Sequence, residues 1–475
     1  MPFTDSSSQL EPLLFQMKQY KNLTKTTIEI LPSSGQTDYF PNRKCIFTLP
    51  YASLISLEDL ALHFEFTPDN VPQDDGADCV RVMPPKDVAS LISEVDIKIN
   101  GQTVQHLTYY NDIVNLLNIF EDAKTAKKVL QGCDMVRTNF KGAAGAIGSI
   151  TSTQYQTGIF ANNKPKEYII NHWYGLLGHR GDEVSSNFID TNMVGEVTIA
   201  FTFATAATCV VSTGTQAEVR TTTNPANGAT TADIAAAIAA TKPTYKLSNL
   251  KMSMVRYNLP QSYSEALSSN LSSGAKYQIA FNHYEIHSQE AQESSGTIRW
   301  NENSRDIKGL LAYFTDKTRD NTISPLGFSA EVESSSYFRY DNTIHKDSQY
   351  QIGSVKMPQN AVNSAGAFLE LTRGLPGVRG NNVAFYNKIN SVESWINSYF
   401  MAYLSLEMTE GMTDVANGGK KLLSGLSSEQ LPISCSYSYN NTSGTGFAWS
   451  KNVNVMTLST RLLVIENGQN CSVEI

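Results

Sequence analysis

The stretch Leu91–Asp122, LISEVDIKINGQTVQHLTYYNDIVNLLNIFED, decides how the rest of the chain is read. Val95, Ile97 and Ile99 alternate with Asp96, Lys98 and Asn100, the period-2 pattern of a half-buried strand. Asn100 and Gly101 follow, and both tolerate the positive φ of a tight hairpin turn. Val104 and Leu107 mark the return strand. Ile113, Leu116, Leu117 and Phe120 then fall at i, i+3, i+4 and i+7, the spacing of a helix with one apolar stripe. A hairpin with an amphipathic helix leaning on it is expected. The stretch carries no nucleophile with a base, no phosphate cradle and no metal spacing, so it reads as scaffold.

Working outward, the same alternation recurs on both sides. Upstream lie TTIEIL (26–31), RKCIFTLP (43–50) and LEDLALHFEFTP (57–68), the last with Leu60, Leu62, Phe64 and Phe66 on one face. Downstream lie KEYIINHWYGLL (166–177), GEVTIAFTFATA (195–206) and YKLSNLKMSMVRYNL (245–259). A short helical pattern, SYSEALSSNLSSG (262–274), separates these from a second set. That set comprises KYQIAFNHYEIH, DIKGLLAYFT, SSYFRYDN, YQIGSVKMP, the strand in SYFMAYLSLEM, and the C-terminal MTLSTRLLVIENGQNCSVEI. Strands dominate, helices are few and no βαβ rhythm is present, which excludes a parallel sheet. Two antiparallel sandwiches remain, and the jelly roll suits eight strands with long end loops.

Three polar stretches interrupt the strands. They are Asp69–Lys86, residues 123–164 with the Gly/Ala/Ser run KGAAGAIGSITSTQ, and the Thr/Ala-rich insertion 205–243. At the other extreme, QLEPLLFQMKQYK (9–21) is a short amphipathic segment. Pro12 suits a first helical position, and Leu13, Leu14 and Met17 then share a face. That stripe is a candidate docking element for an inner membrane or a neighbouring subunit, or else a helix tucked against its own domain.

Composition bounds the function. A chain of 475 residues with 41% hydrophobic and 10% aromatic residues supports two large cores rather than one. A net charge of -8 without a basic run argues against direct, sequence-specific nucleic-acid binding. Six dispersed cysteines, Cys45, Cys79, Cys133, Cys209, Cys435 and Cys471, form no CxxC pair and are expected to be reduced thiols. The polar MPFTDSSSQLEP start lacks the regions of a signal peptide, and no apolar run reaches bilayer length. A soluble product, neither secreted nor inserted, is expected.

Candidate sites are sparse. His283, Glu285 and His287 in HYEIH stand at i, i+2 and i+4, so on a strand all three face one way and could grip a metal. Tyr277, Ile279 and Phe281 precede them on that face, and the simpler expectation is a strand running from core into a polar rim, with no metal. Arg180-Gly181-Asp182 is read as a surface turn. Gly418-Gly419-Lys420-Lys421 lacks the remaining residues of a nucleotide P-loop, and no GxSxG or strand-borne GxGxxG occurs. No catalytic residue, cofactor or metal is expected.

Several stretches, in order, carry a resemblance. They are IFTLPYASLISLEDLALHFEF (46–66), ISEVDIKINGQTVQHLTYYNDIVNLL (92–117), WYGLLGHRGDEVSSNFIDTNMVGEVTIAFTFA (173–204) and YKLSNLKMSMVRYNLPQSYSEAL (245–267). QYQIGSVKMPQNAVNSAGAFLELTRG (349–374), INSYFMAYLSLE (396–407) and LLVIENGQNCSVEI (462–475) continue it. Together they resemble the major capsid proteins of the double jelly-roll lineage of DNA viruses, most nearly those of virophages and polinton-like viruses.

The resemblance implies an all-β fold of two tandem eight-stranded antiparallel jelly rolls, 23–262 and 263–475, with a few short flanking helices and an N-terminal segment 1–22. Taking TTIEIL as strand B makes Val95–Ile99 strand E and Val104–Leu107 strand F. The three polar stretches then become loops DE, FG and HI, all at one end. The resemblance further implies a non-enzymatic homotrimer with a pseudo-hexagonal outline that packs against neighbouring capsomers in an icosahedral virion assembled inside a host cell. Penton and minor capsid proteins, and an internal membrane, would be its partners. A non-viral carbohydrate-binding or adhesive sandwich, and an enzyme on a β-scaffold, are the alternatives.

Overall fold

In a computed structural model the chain is described from Thr24 to Glu474, apart from intervening stretches of which the longest are 71–79, 119–164, 179–187, 213–238, 259–264, 320–327, 375–391, 407–412 and 440–450. Eight principal strands make the first half. They are β1 (Thr24–Ile30), β2 (Lys44–Thr48), β3 (Leu54–Asp69), β4 (Ile92–Ile99), β5 (Gln102–Leu107), β6 (Lys166–Ile170), β7 (Val197–Phe203) and β8 (Thr244–Asn258). Helix α1 (Tyr110–Leu117) follows β5. The strands pair antiparallel in two sheets, ordered β1-β8-β3-β6 and β2-β7-β4-β5. With β1 as strand B, these orders read BIDG and CHEF, which is the jelly roll expected from the spacing.

The second half repeats this order strand for strand. Its elements are β9 (Tyr277–Glu290), β10 (Ser295–Asn301), β11 (Ile307–Asp316), β12 (His345–Ile352), β13 (Val355–Asn363), β14 (Ala402–Ser405), β15 (Pro432–Tyr439) and β16 (Lys451–Glu466). Its sheets run β9-β16-β11-β14 and β10-β15-β12-β13, each position eight strands on from its counterpart. Helix α2 (Ser364–Gly374) follows β13 as α1 follows β5. A last strand, β17 (Asn470–Glu474), turns back on β16.

Alternation explains the layers. In β4, Val95, Ile97 and Ile99 are buried against β7 and β2, where Phe47 and Phe201 meet edge to face at 6.2 Å. Trp173 stacks on Phe201 at 5.1 Å and donates from Nε1 to Leu60 O at 2.8 Å, so its polar atom is satisfied inside the core. The β4–β5 turn is as read: Asn100 has φ 49° and Gly101 φ 79°. Asn100 also donates to Val194 O at 2.6 Å and accepts from Glu196 N at 3.0 Å, which ties the hairpin to the start of β7.

Three expectations are corrected. α1 is buried on every side, with Asn111, Asp112 and Asn115 as hidden as Ile113 and Leu116, because it lies between the two halves rather than on a surface; Phe120 falls outside the described residues. SSYFRYDN is a short extended pair, Ser334–Ser335 with Phe328–Ser329, followed by a 3-10 turn at Ser336–Phe338. The insertion 205–243 begins in packed structure: Thr208, Cys209 and Val210 are buried, and Val210–Ser212 pairs with Val80–Val82 of the DE segment. That pairing joins loops DE and HI. Asn115 of α1 donates to Ser90 Oγ, just before β4, at 3.1 Å, so the described parts of the three connections meet, while the FG stretch 123–164 lies outside the described residues.

Candidate functional site

The densest polar constellation lies where α1 meets the second sandwich. Asp112 is fully buried, and its carboxylate accepts from four groups of the other half. Arg319 Nη1 donates to Oδ1 at 3.0 Å and Nη2 to Oδ2. Tyr313 Oη donates to Oδ2 at 3.1 Å and Tyr340 Oη to Oδ1 at 2.9 Å. Burial, with the Asp112 charge beside them, holds both phenols well above the usual tyrosine range, so they stay protonated donors. Arg319 also lies over the Tyr337 ring at 4.5 Å, and Asn111 Nδ2 donates to Tyr337 Oη at 3.2 Å. A fork of two parallel N–H···O bonds plus two phenol donors satisfies the carboxylate. The arrangement is a clasp between sandwiches.

A second contact flanks it. Gln105 of β5 is buried; its Nε2 donates to Asn282 O at 3.2 Å and its Oε1 accepts from Leu176 N at 2.7 Å. The same Nε2 stands 3.5 Å from His283 Nδ1. Ala207, Tyr337 and Phe338 form a small apolar cluster across the same boundary. The hairpin and helix that organise the sequence therefore also carry the seam. The role of their polar residues is not legible in sequence spacing, since only Asn111-Asp112 beside an apolar stripe hints at it.

The HYEIH strand runs from Ile279 and Phe281, both buried, through buried His283 to half-buried Glu285 and His287. Glu285 Oε2 is 3.8 Å from His283 Nε2 and 3.4 Å from Arg461 Nη2, while its Oε1 is 3.9 Å from His287 Nε2. His283, with help from the His287 and Arg461 charges and against the opposing effect of burial, sets the Glu285 carboxyl below its usual range. Burial lowers both imidazoles. The third member beside Glu285 and His287 is Glu302, just past β10, rather than His283. Glu302 is 4% exposed. Burial, then the Glu285 charge, pushes its carboxyl up to about 7. Glu302 lies in a different strand region of the sequence, so spacing within HYEIH could not have revealed it.

Other expected features fall as follows. Leu13, Leu14, Met17 and the Arg180-Gly181-Asp182 tripeptide lie outside the described residues, as do Gly418 and Gly419. Lys420–Lys421 pairs with Thr413–Asp414 in a two-residue ladder. Among the described cysteines, Cys45, Cys209, Cys435 and Cys471 are all unpaired thiols. Among the described residues no helix is long and apolar enough to cross a membrane.

No protein-family model and no curated protein matches the sequence. Solved structures do. The chain is similar to the capsid protein in a quasi-atomic description of the PBCV-1 virus capsid, with TM-score 0.55 and 11% identity over 96% of this chain and 98% of that one. A chain in the 3.5 Å structure of the Sputnik virophage matches with TM-score 0.54 and 9% identity, over 96% of this chain and 88% of that one. The fold is the double jelly roll of viral major capsid proteins. At such low identity the likeness resides in topology, and it spans both sandwiches.

Proposed function

We propose that this chain is a major capsid protein, a structural and non-catalytic subunit that trimerises into pseudo-hexagonal capsomers tiling an icosahedral virion. The observation that carries the reading is the strand-for-strand repeat of one jelly roll by the next, fused by a buried clasp. Two similar wedges in one chain give three subunits a near-sixfold outline, and homo-oligomers close by symmetry. In this reading residues 23–262 and 263–475 are the two wedges, and residues 1–22 form a separate segment facing the particle interior. The joined DE, FG and HI loops form the outer end. Neighbouring capsomers, penton and minor capsid proteins, and an internal membrane are the partners, met inside the host cell.

Light scattering on purified protein tests this. The expected mass is three times 52.3 kDa, with hexagon-like particles in negative stain. A monomer at micromolar concentration, with no crosslinkable trimer, would overturn the reading and favour a non-viral sandwich.

A further inference from the structure

We propose that Glu285, His287 and Glu302 form a binding site for a divalent transition-metal cation of the zinc class, with water completing its coordination. One ligand atom from each residue lies within 4.8 Å of the others. Two carboxylates and one imidazole are hard and borderline donors of the kind zinc accepts, and three protein ligands plus an open position is a common zinc arrangement. Bonds of about 2.0–2.2 Å would draw the three atoms closer by small side-chain movements.

Independent observations point to a ligand here. Glu302 is 4% exposed, and neither of its carboxylate oxygens has a hydrogen-bond partner. A buried, unpartnered carboxylate facing a second carboxylate is costly. Most buried acids are paired with cations or bound to metals. The Thr457 and Ser459 hydroxyls are buried beside Glu302 without other partners, and as neutral donors they ease its charge without neutralising it. His287 Nε2 is likewise without one. Its ring is held by stacking on Trp300 at 5.7 Å between centroids and 25° between planes. Arg461 meets Glu285 through Oε2 and leaves Oε1 turned toward His287. The cation would thus enter between Glu285 Oε1, His287 and the Glu302 carboxylate, where Arg461 offsets only part of the negative charge. Glu285 and His287 are half exposed, so the site opens to solvent on one side.

The position gives such an ion a use. Glu285 and His287 come from β9, Glu302 from the connection after β10, and these strands belong to opposite sheets of the second sandwich. A bound cation would staple the two sheets at their rim.

The test uses the full-length protein, stripped with a chelator and titrated calorimetrically with Zn²⁺, with Mg²⁺ and Ca²⁺ as controls. One Zn²⁺ per chain is expected, with a melting temperature that rises on addition and falls again with chelator. Loss of an outer partner of a metal site costs about 10- to 100-fold in affinity, so Glu302→Gln and His287→Gln should each lose more than that. His283→Gln, which removes only a neighbour of the ligand Glu285, should lose no more than about 10- to 100-fold. Should the ligand variants fail to fold, Co²⁺ added to the unaltered chain should give the visible absorption of a four- or five-coordinate nitrogen- and oxygen-ligated ion. Absence of saturable Zn²⁺ binding, preference for Mg²⁺ or Ca²⁺, or undiminished binding by Glu302→Gln would each overturn the proposal, as would a Co²⁺ spectrum no different from the free ion.

Discussion

Asp112 shows how much one side chain can decide. Its charge is removed from water entirely, and the fold is tolerable only because Arg319, Tyr313 and Tyr340 converge on it. Removing one partner of such a buried pair costs about 3–5 kcal/mol, whereas replacing both by apolar groups can be nearly neutral. Asp112→Asn should therefore lower the denaturation midpoint sharply. Combining Asp112→Leu with Arg319→Met should recover much of the loss, and additive losses in that double-mutant cycle would refute the clasp. His345 gives the pH counterpart. It is buried against Phe400 at 4.6 Å with Nδ1 2.9 Å from Ser364 Oγ, and burial pushes its imidazole down to about 4 from 6.5. The unfolded chain takes up the proton near 6.5 and the folded chain only near 4. The associated stability is thus present above pH 6.5 and is lost as pH falls toward 4, by roughly 3 kcal/mol in all. Replacing His345 with Gln should flatten that acid limb in urea titrations followed across this window. An unchanged slope would mean the group is not buried as described.

At the scale of elements, the hairpin β4–β5 and helix α1 do two jobs at once. The strands complete the CHEF sheet of their own sandwich, and the turn residues Asn100 and Gly101 set their register with positive φ. The helix then leaves the sheet and enters the seam, where a one-sided apolar stripe gives way to burial on all sides. The N-terminal segment is the contrasting case. Each aliphatic side chain of Leu13, Leu14 and Met17 contributes about 1.5–3 kcal/mol when fully buried, so one copy would hold a surface weakly. The proposed trimer would present three and a shell many more, and avidity would then make the contact effective. Deleting residues 1–20 should leave a folded trimer with nearly unchanged melting temperature while impairing closure into particles or adhesion to a membrane. A fall of many degrees on truncation would place the segment in the core instead.

For the whole molecule, the repeat of one strand order by the next yields two wedges of similar outline. The clasp, Gln105 and the Ala207–Tyr337–Phe338 cluster keep them from moving as independent domains. Helix α1, through Asn111, and the start of the 205–243 insertion, through Ala207, both contact the second sandwich's Ser334–Phe338 turn. In the proposed capsomer the flanks of the two sandwiches would meet neighbouring subunits, a role that requires no cleft.

Local pattern determined most of the strands and their antiparallel pairing, though it missed β10 and β15, and the jelly-roll order came with the family resemblance. Period-2 burial in Leu60–Phe66 or Val95–Ile99, and turn chemistry at Asn100-Gly101, are properties of neighbouring residues, and backbone sterics read them directly. HYEIH likewise disclosed its passage from core to rim. Tertiary structure alone decided which polar residues became partners. Asp112 and Arg319 are separated by 207 positions, and Glu302 reaches Glu285 and His287 from the facing sheet. No periodicity links such residues, because their proximity is created only when the two sheets close and the two sandwiches dock.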